Sequence, residues 1–323
     1  MVVGILGSPK TPPVVRSVGQ DRLPDGAVPT PRSLFEIGSI TKLFTALLLA
    51  DAVVREEVTL DTPVRDILRP DVRVPSRGRV PITLEHLATH TSGLPRSPVG
   101  RPVELRSTDP YSSLTREDVL VALERSRLRR IPGTGGVRYS NLGYAVLGVA
   151  LVDLIGAPDY QTAIERRVCK PLGLVDTVVS PTPEQTERTA SGHRWRGRPA
   201  PSWHLDGMAG AGALLSTADD LLSFVRAQLE PSAGPLADAI VLMQQERRRQ
   251  RTHTIGLGWM RRATKTGTLL WHNGGTGGFR SWVALAPSDH RAVVILTNSF
   301  NLRGPDLEGL RLLDVIGTAR RRT

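Results

Sequence analysis

Three short stretches carry side chains whose types and spacing could do covalent chemistry. Ser39-Ile40-Thr41-Lys42 stands at the head of an apolar run. Residues three apart share a helix face, so the amine can reach the hydroxyl. A serine hydroxyl becomes a nucleophile when a neighbouring base takes its proton. Lysine can serve only if its pKa falls several units from about 10.4, and burial and nearby positive potential are the available causes. The positive end of the helix dipole at Ser39 would favour an oxyanion and disfavour an ammonium. Tyr139-Ser140-Asn141 precedes a second apolar helix. It offers a phenol to share a proton with Lys42 and an amide to orient substrate or Lys42. His272-Asn273-Gly274-Gly275-Thr276-Gly277-Gly278-Phe279 offers backbone that a ligand can approach closely and N–H groups that can face an oxyanion. Taken singly, each stretch also has a structural reading. Ser39 would be a helix cap and Lys42 a surface residue, Tyr139 would pack at a helix start capped by Ser140 or Asn141, and the glycines would form a hairpin turn.

The elements that must position these groups follow from periodicity. Val2 to Leu6 and Val14 to Val18 read as strands, and Ser39 to Glu56 as a largely buried helix. Helical segments separated by proline and glycine fill the middle: 84–90, 116–126, 141–155 and 160–168. A helix over 217–229 is predicted to be capped by Ser216 with Asp219 reaching back. Strand-like runs at 269–272, 281–286 and 292–297 and a helix over 306–316 complete the chain. Strands at both ends with helices between predict an α/β fold of the α+β kind. One antiparallel sheet is built from both termini and flanked by helices (residues 1–60 and 205–323), with a mostly helical domain inserted (61–204) and a cleft between the two.

Composition narrows the function classes. The 323 residues are 40% hydrophobic and 23% charged, which is ordinary globular usage. The one cysteine, Cys169, rules out an intramolecular disulfide and a multi-cysteine zinc site, and is expected to be a buried structural thiol. The net charge is +11, and with only four lysines the basic residues are almost all arginine. They are dispersed and not interleaved with aromatics, so a solvated basic surface is expected and no nucleic-acid partner. His86 and His90 are four apart, a spacing zinc accepts, but no third ligand is evident and no metal is expected. There is no Gly-x-Ser-x-Gly and no Gly-x-Gly-x-x-Gly, so neither an α/β-hydrolase elbow nor a dinucleotide fingerprint is supported. No run of about 18 apolar residues is present, and no membrane partner is expected. The opening MVVGILGSPK lacks a basic n-region, and a cytoplasmic location is expected.

Together, the three stretches resemble the serine β-lactamase and penicillin-recognising enzyme superfamily, in its class C-like branch of esterases, D-amino-acid peptidases and transacylases. FEIGSITKLFTALLLAD resembles that branch's nucleophile helix, HLATHTSGLP a linking segment, YSNLGYAVLG its second motif and HNGGTGGFRSWVALAP its third. The resemblance implies Ser39 as the acylated nucleophile, Lys42 as its proton acceptor and Tyr139 as donor to the leaving group. It implies Asn141, His272, Asn273 and Gly274 as substrate contacts and the N–H groups of Ser39 and Gly275 as the oxyanion hole, with no cofactor. Lys265-Thr266-Gly267 spells the Lys-Thr-Gly of class C β-lactamases but lacks the x-Thr-Gly-Gly-Phe that follows it there, so it is read as a hairpin turn one strand early. His272 then replaces the lysine, and the loss of a permanent cation predicts poor β-lactam hydrolysis and a neutral substrate. The expected activity is acyl transfer or hydrolysis on an ester or amide of an intracellular small molecule. The acceptor is water, an amine or an alcohol, with a lean towards a transacylase in small-molecule biosynthesis.

Overall fold

The apolar runs at the two ends of the chain meet in one sheet. The computed structural model describes residues 1–7, 12–18, 27–98, 108–250, 252–300, 305 and 308–313. Its strands are β1 (Val2–Leu6), β2 (Val14–Ser17), β3 (Phe35–Glu36), β4 (Gly192–His193), β5 (Pro199–Ala200), β6 (Leu215–Ser216), β7 (Arg248–Arg249), β8 (Thr254–Ile255), β9 (Met260–Thr264), β10 (Gly267–Gly275), β11 (Arg280–Ala286) and β12 (Arg291–Thr297). Eight of them form an antiparallel sheet in the order β2-β1-β12-β11-β10-β9-β8-β7. Val2 pairs with Leu296 and Leu6 with Ala292, so the start of the chain closes onto its last strand. Sequence reading found β10 to β12 but not β7 to β9, whose exposed Arg and Thr residues show no apolar alternation.

The helices are α1 (Thr41–Val54), α2 (Leu84–Ala88), α3 (Arg116–Arg125), α4 (Asn141–Ile155), α5 (Tyr160–Ile164), α6 (Lys170–Leu172), α7 (Pro183–Glu187), α8 (Ala209–Gly212), α9 (Ala218–Leu229) and α10 (Ala237–Gln244). α1 is buried on every side from Thr41 to Ala52, as its all-round apolar sequence requires. The predicted helix over 160–168 is interrupted by a wide turn at Glu165–Cys169. α9 is capped one residue later than expected. Thr217 accepts from the Asp220 N–H at 3.1 Å, because Ser216 is paired in β6 with Phe35 and its hydroxyl is shared with Thr177. Of the last predicted helix, residues 308–313 are helical; 306–307 and 314–316 lie outside the described residues.

The main core joins α1, α4, α9 and the inner face of the sheet. A cβ at Gly4 would lie 2.8 Å from Leu222, so α9 seats directly on β1. On the opposite face Trp282, Val293 and Ile295 pack with Leu313. The sheet is thus covered on both faces, which is why β12 is buried along its whole length.

Candidate active site

A single tight turn, Gly38–Ile40, carries Ser39 into α1. Ser39 therefore sits just ahead of the helix rather than within its first turn. Gly38 has φ +51, and a Cβ there would lie 2.6 Å from the Gly275 nitrogen. A Cβ at Gly274 would strike the Ile37 carbonyl. Only glycine on both sides lets the two backbones touch. Ser281 Oγ donates to the same Ile37 carbonyl at 2.8 Å, and Ile37 N–H donates to Leu214 O at 3.0 Å, so the turn is tied to the sheet. β9 pairs with β10 only as far as Trp271, leaving residues 272–275 uncovered along that edge. The Thr276 N–H donates to Phe279 O, which makes the next pair, Gly275 and Arg280, a non-hydrogen-bonded one. Its N–H is consequently turned away from β11, towards the uncovered edge.

Lys42, one turn on, is fully buried, with Nζ 2.9 Å from Ser39 Oγ. It donates to the Ala211 carbonyl at 2.6 Å. The rings of Tyr139 and Tyr144 lie 4.9 and 5.6 Å from Nζ. Burial, reinforced by the Arg96 guanidinium, holds the amine well below the usual lysine range. Ala211 can reach Lys42 because α8 crosses α4 at glycines: a Cβ at Gly210 would be 2.9 Å from the Gly148 Cα and 2.7 Å from Tyr144 O.

Tyr139 comes from the loop before α4. Ser140 caps that helix, accepting from the Gly143 N–H at 2.9 Å and donating to Pro95 O at 2.6 Å. Burial pushes the pKa of the Tyr139 phenol up to about 12, with the Ser39 side chain and the Arg96 guanidinium pulling the other way. His90 stacks behind the phenol, ring centroids 4.4 Å apart, and its Nδ1 accepts from the Ser140 N–H at 3.2 Å. Ser39, Tyr139, Asn141, Asn273, Gly274 and Gly275 all line one cleft of about 630 Å³. The Asn141 amide oxygen is buried there with no partner among the described residues.

A family model described as Beta-lactamase matches residues 13–317. The chain belongs to the β-lactamase family. It is 32% identical to the D-alanyl-D-alanine-carboxypeptidase/endopeptidase AmpH of Escherichia coli (strain K12), over 88% of this chain and 76% of that protein. It is 27% identical to penicillin-binding protein 4 of Amycolatopsis lactamdurans, over 84% of this chain and 74% of that one. It is also 27% identical to the unguisins hydrolase ungD' of Aspergillus campestris, over 93% of this chain and 58% of that protein. Among solved structures, the β-lactamase/D-alanine carboxypeptidase from Yersinia pestis complexed with citrate superposes with a TM-score of 0.84 at 26% identity, covering 98% of this chain and 92% of that one.

On this β-lactamase fold, some residues stand where sequence reading did not expect them. His272 does not open onto the cleft. It is 1% exposed, Nδ1 lies 2.7 Å from the Asn273 carbonyl, and burial lowers its pKa to about 3. It lies behind Tyr139, ring centroids 6.4 Å apart. The residue is neutral, as expected. Arg96 and Arg280 both line the cleft, and sequence reading named neither. It also missed Tyr111 and Trp203, which pack edge to face on the cleft wall, and the Ala211 carbonyl. Only the HLATHTSGLP block, which leads into Arg96, signalled any of these. Lys265 and Thr266 form the turn between β9 and β10, away from the cleft. His86 and His90 do not share a helix face. α2 ends at Ala88, His86 closes a capping box with Thr83, and His90 has φ +57. Cys169 is buried, and desolvation pushes its thiol up to about 12.

Proposed function

We propose that this chain works through a covalent acyl-enzyme on Ser39, cleaving an ester or amide of a small molecule and passing the acyl group to water, an amine or an alcohol. The observation that carries this reading is Lys42, a buried amine with depressed pKa, 2.9 Å from the Ser39 hydroxyl. As Ser39 Oγ bonds to the acyl carbon, its proton passes to the neutral Lys42 amine. Negative charge builds on the acyl oxygen, and the N–H groups of Ser39 and Gly275 are assigned to hold it. With a pKa near 12, Tyr139 is a phenol and not a phenolate at neutral pH, so Lys42 is the base. Tyr139 gives its proton to the departing heteroatom as the acyl bond breaks, and Lys42 restores it. The acceptor then attacks the ester on Ser39 and surrenders its proton along the same route. Asn141 is assigned to the substrate's polar group through its unpartnered amide oxygen.

Relatives named for hydrolysis support water as acceptor. The cleft of about 630 Å³ supports transfer, having room for a second molecule beside the acyl group. Intact-protein mass after exposure to a p-nitrophenyl ester tests both. An acyl adduct is expected on the native chain and not on Ser39→Ala. Clearance faster with an amine than with water, with amide formed, identifies a transacylase; clearance by water alone identifies a hydrolase. No adduct on either protein overturns the reading.

A further inference from the structure

A second cavity of about 280 Å³ adjoins the cleft, lined by Leu94, Pro95, Arg96, Arg129, Arg138 and Tyr139. Arg96 and Tyr139 also line the cleft, so the two share a wall at the phenol. Half of the residues around this pocket are arginines. Some arginines elsewhere are ion-paired: Arg248 holds Glu85, Arg116 holds Asp153 and Arg69 holds Glu117. Arg96, Arg129 and Arg138 have no acidic partner among the described residues, although gathering like charges raises the energy of the folded chain.

Their backbones are fixed to one another through one short segment. The Arg129 N–H donates to Gly93 O at 3.2 Å, the Arg138 N–H to His90 O at 2.9 Å, and the Asn141 N–H to Arg96 O at 2.7 Å. Gly93 makes this possible with φ +80, where a Cβ would lie 2.8 Å from Arg130 O. The backbones that carry the three arginines are therefore set by tertiary hydrogen bonds, and their exposed side chains gather around the one pocket. Guanidinium groups bind planar and tetrahedral oxyanions through paired N–H donors.

We propose that this pocket is a subsite for an oxyanion, a phosphate or a carboxylate, carried by the substrate next to the bond that Ser39 attacks. The proposal rests on the acyl-enzyme reading for the position of that bond. It makes the natural substrate an anion, held from the Tyr139 side of the cleft.

The test compares ester pairs on the native chain and on Arg129→Gln/Arg138→Gln. Phenyl acetate is set against 4-acetoxybenzoate and 4-acetoxyphenyl phosphate, which put the anion on the leaving group. 4-Nitrophenyl butyrate is set against mono-4-nitrophenyl glutarate, which puts it on the acyl group. On the native chain at low salt, one acidic ester is expected to exceed its neutral counterpart in kcat/KM by about tenfold or more. The double variant is expected to bring that ratio close to one, and Arg129→Lys/Arg138→Lys to restore part of it. Preference for the phosphate or for a carboxylate identifies the source. If no acidic ester is preferred, or the preference survives in the Gln variant, the subsite is overturned. Should no ester acylate Ser39 at all, the acyl-enzyme reading fails separately, and calorimetric titration with inorganic phosphate then decides the pocket. Binding lost in the Gln variant upholds it; equal or absent binding overturns it.

Discussion

An ammonium at the position of Lys42 would have two tyrosine rings and a backbone carbonyl around it, a guanidinium nearby and, among the described residues, no carboxylate to pair with. Desolvation then favours the neutral amine, the form that can take the Ser39 proton. The same burial bears on stability. In the unfolded chain Lys42 is protonated up to its ordinary value of 10.5, whereas the folded chain holds it neutral from a much lower pH. Between those limits the unfolded state binds the extra proton, so native stability rises with pH across the window. Lys42→Met removes that proton difference and leaves one carbonyl, that of Ala211, without its donor. It is expected to lower the rate of Ser39 acylation by about 10²–10⁴-fold. Its Tm at neutral pH is expected to equal or exceed the native value, with the gap closing as pH rises towards 10.5. Thermal melts from pH 6 to 10 check this; a native chain more stable than the variant throughout would mean that Lys42 is charged and paired in the fold.

Among the elements, the contact between the Gly38–Ile40 turn and β10 decides whether Ser39 meets Lys42 and the Gly275 N–H together. Gly38 is needed twice, for φ +51 and for the 2.6 Å approach to Gly275. Gly38→Ala adds a methyl in both respects, at roughly 1–2 kcal/mol for the backbone conformation alone. The turn must then lift from the strand. Adduct formation on Ser39 is expected to fall by about 10²-fold or more, because misplacement by an ångström is enough. Circular dichroism should remain native, since the turn packs outside the strand ladder. A Gly38→Ala chain that acylates at the native rate would show that the approach is not needed. Ser39-Ile-Thr-Lys42 was legible as a pair because local helix geometry sets the spacing. The Ala211 carbonyl was not, because it arrives through the Gly148–Gly210 crossing, 62 residues apart in sequence.

For the whole molecule, closure of the sheet by the first strands matters most. β1 covers β12 by five residue pairs, and its Val2 and Leu6 are buried. Removing residues 1–18 would strip β1 and β2, bare one edge of the most buried strand and leave Leu222 of α9 without its seat on Gly4. Such a chain is expected to lose its cooperative thermal transition and to aggregate. A retained native Tm, by calorimetry, would show that β12 does not depend on this pairing. The plan of the sheet was readable, since Val- and Ile-rich runs at both ends had few other ways to be buried. Its far edge was not, because β7 to β9 are held by backbone pairing and carry little apolar pattern.

Sequence alone determined the groups that meet over short spans and the motif order that marks the family: Ser39 with Lys42, Tyr139 ahead of a capped helix, and a glycine-rich strand end. Local geometry and side-chain chemistry suffice for those. Tertiary structure decided the electrostatics. Burial set the protonation of Lys42, His272 and Tyr139, and burial depends on what distant segments bring to the site. It also put His272 behind the phenol and turned Arg96, Arg129, Arg138 and Arg280 towards the two cavities. In a chain with dispersed arginine, nothing in the spacing distinguishes Arg129, Arg138 and Arg280 from the rest, because their convergence is a property of contacts between segments distant in sequence.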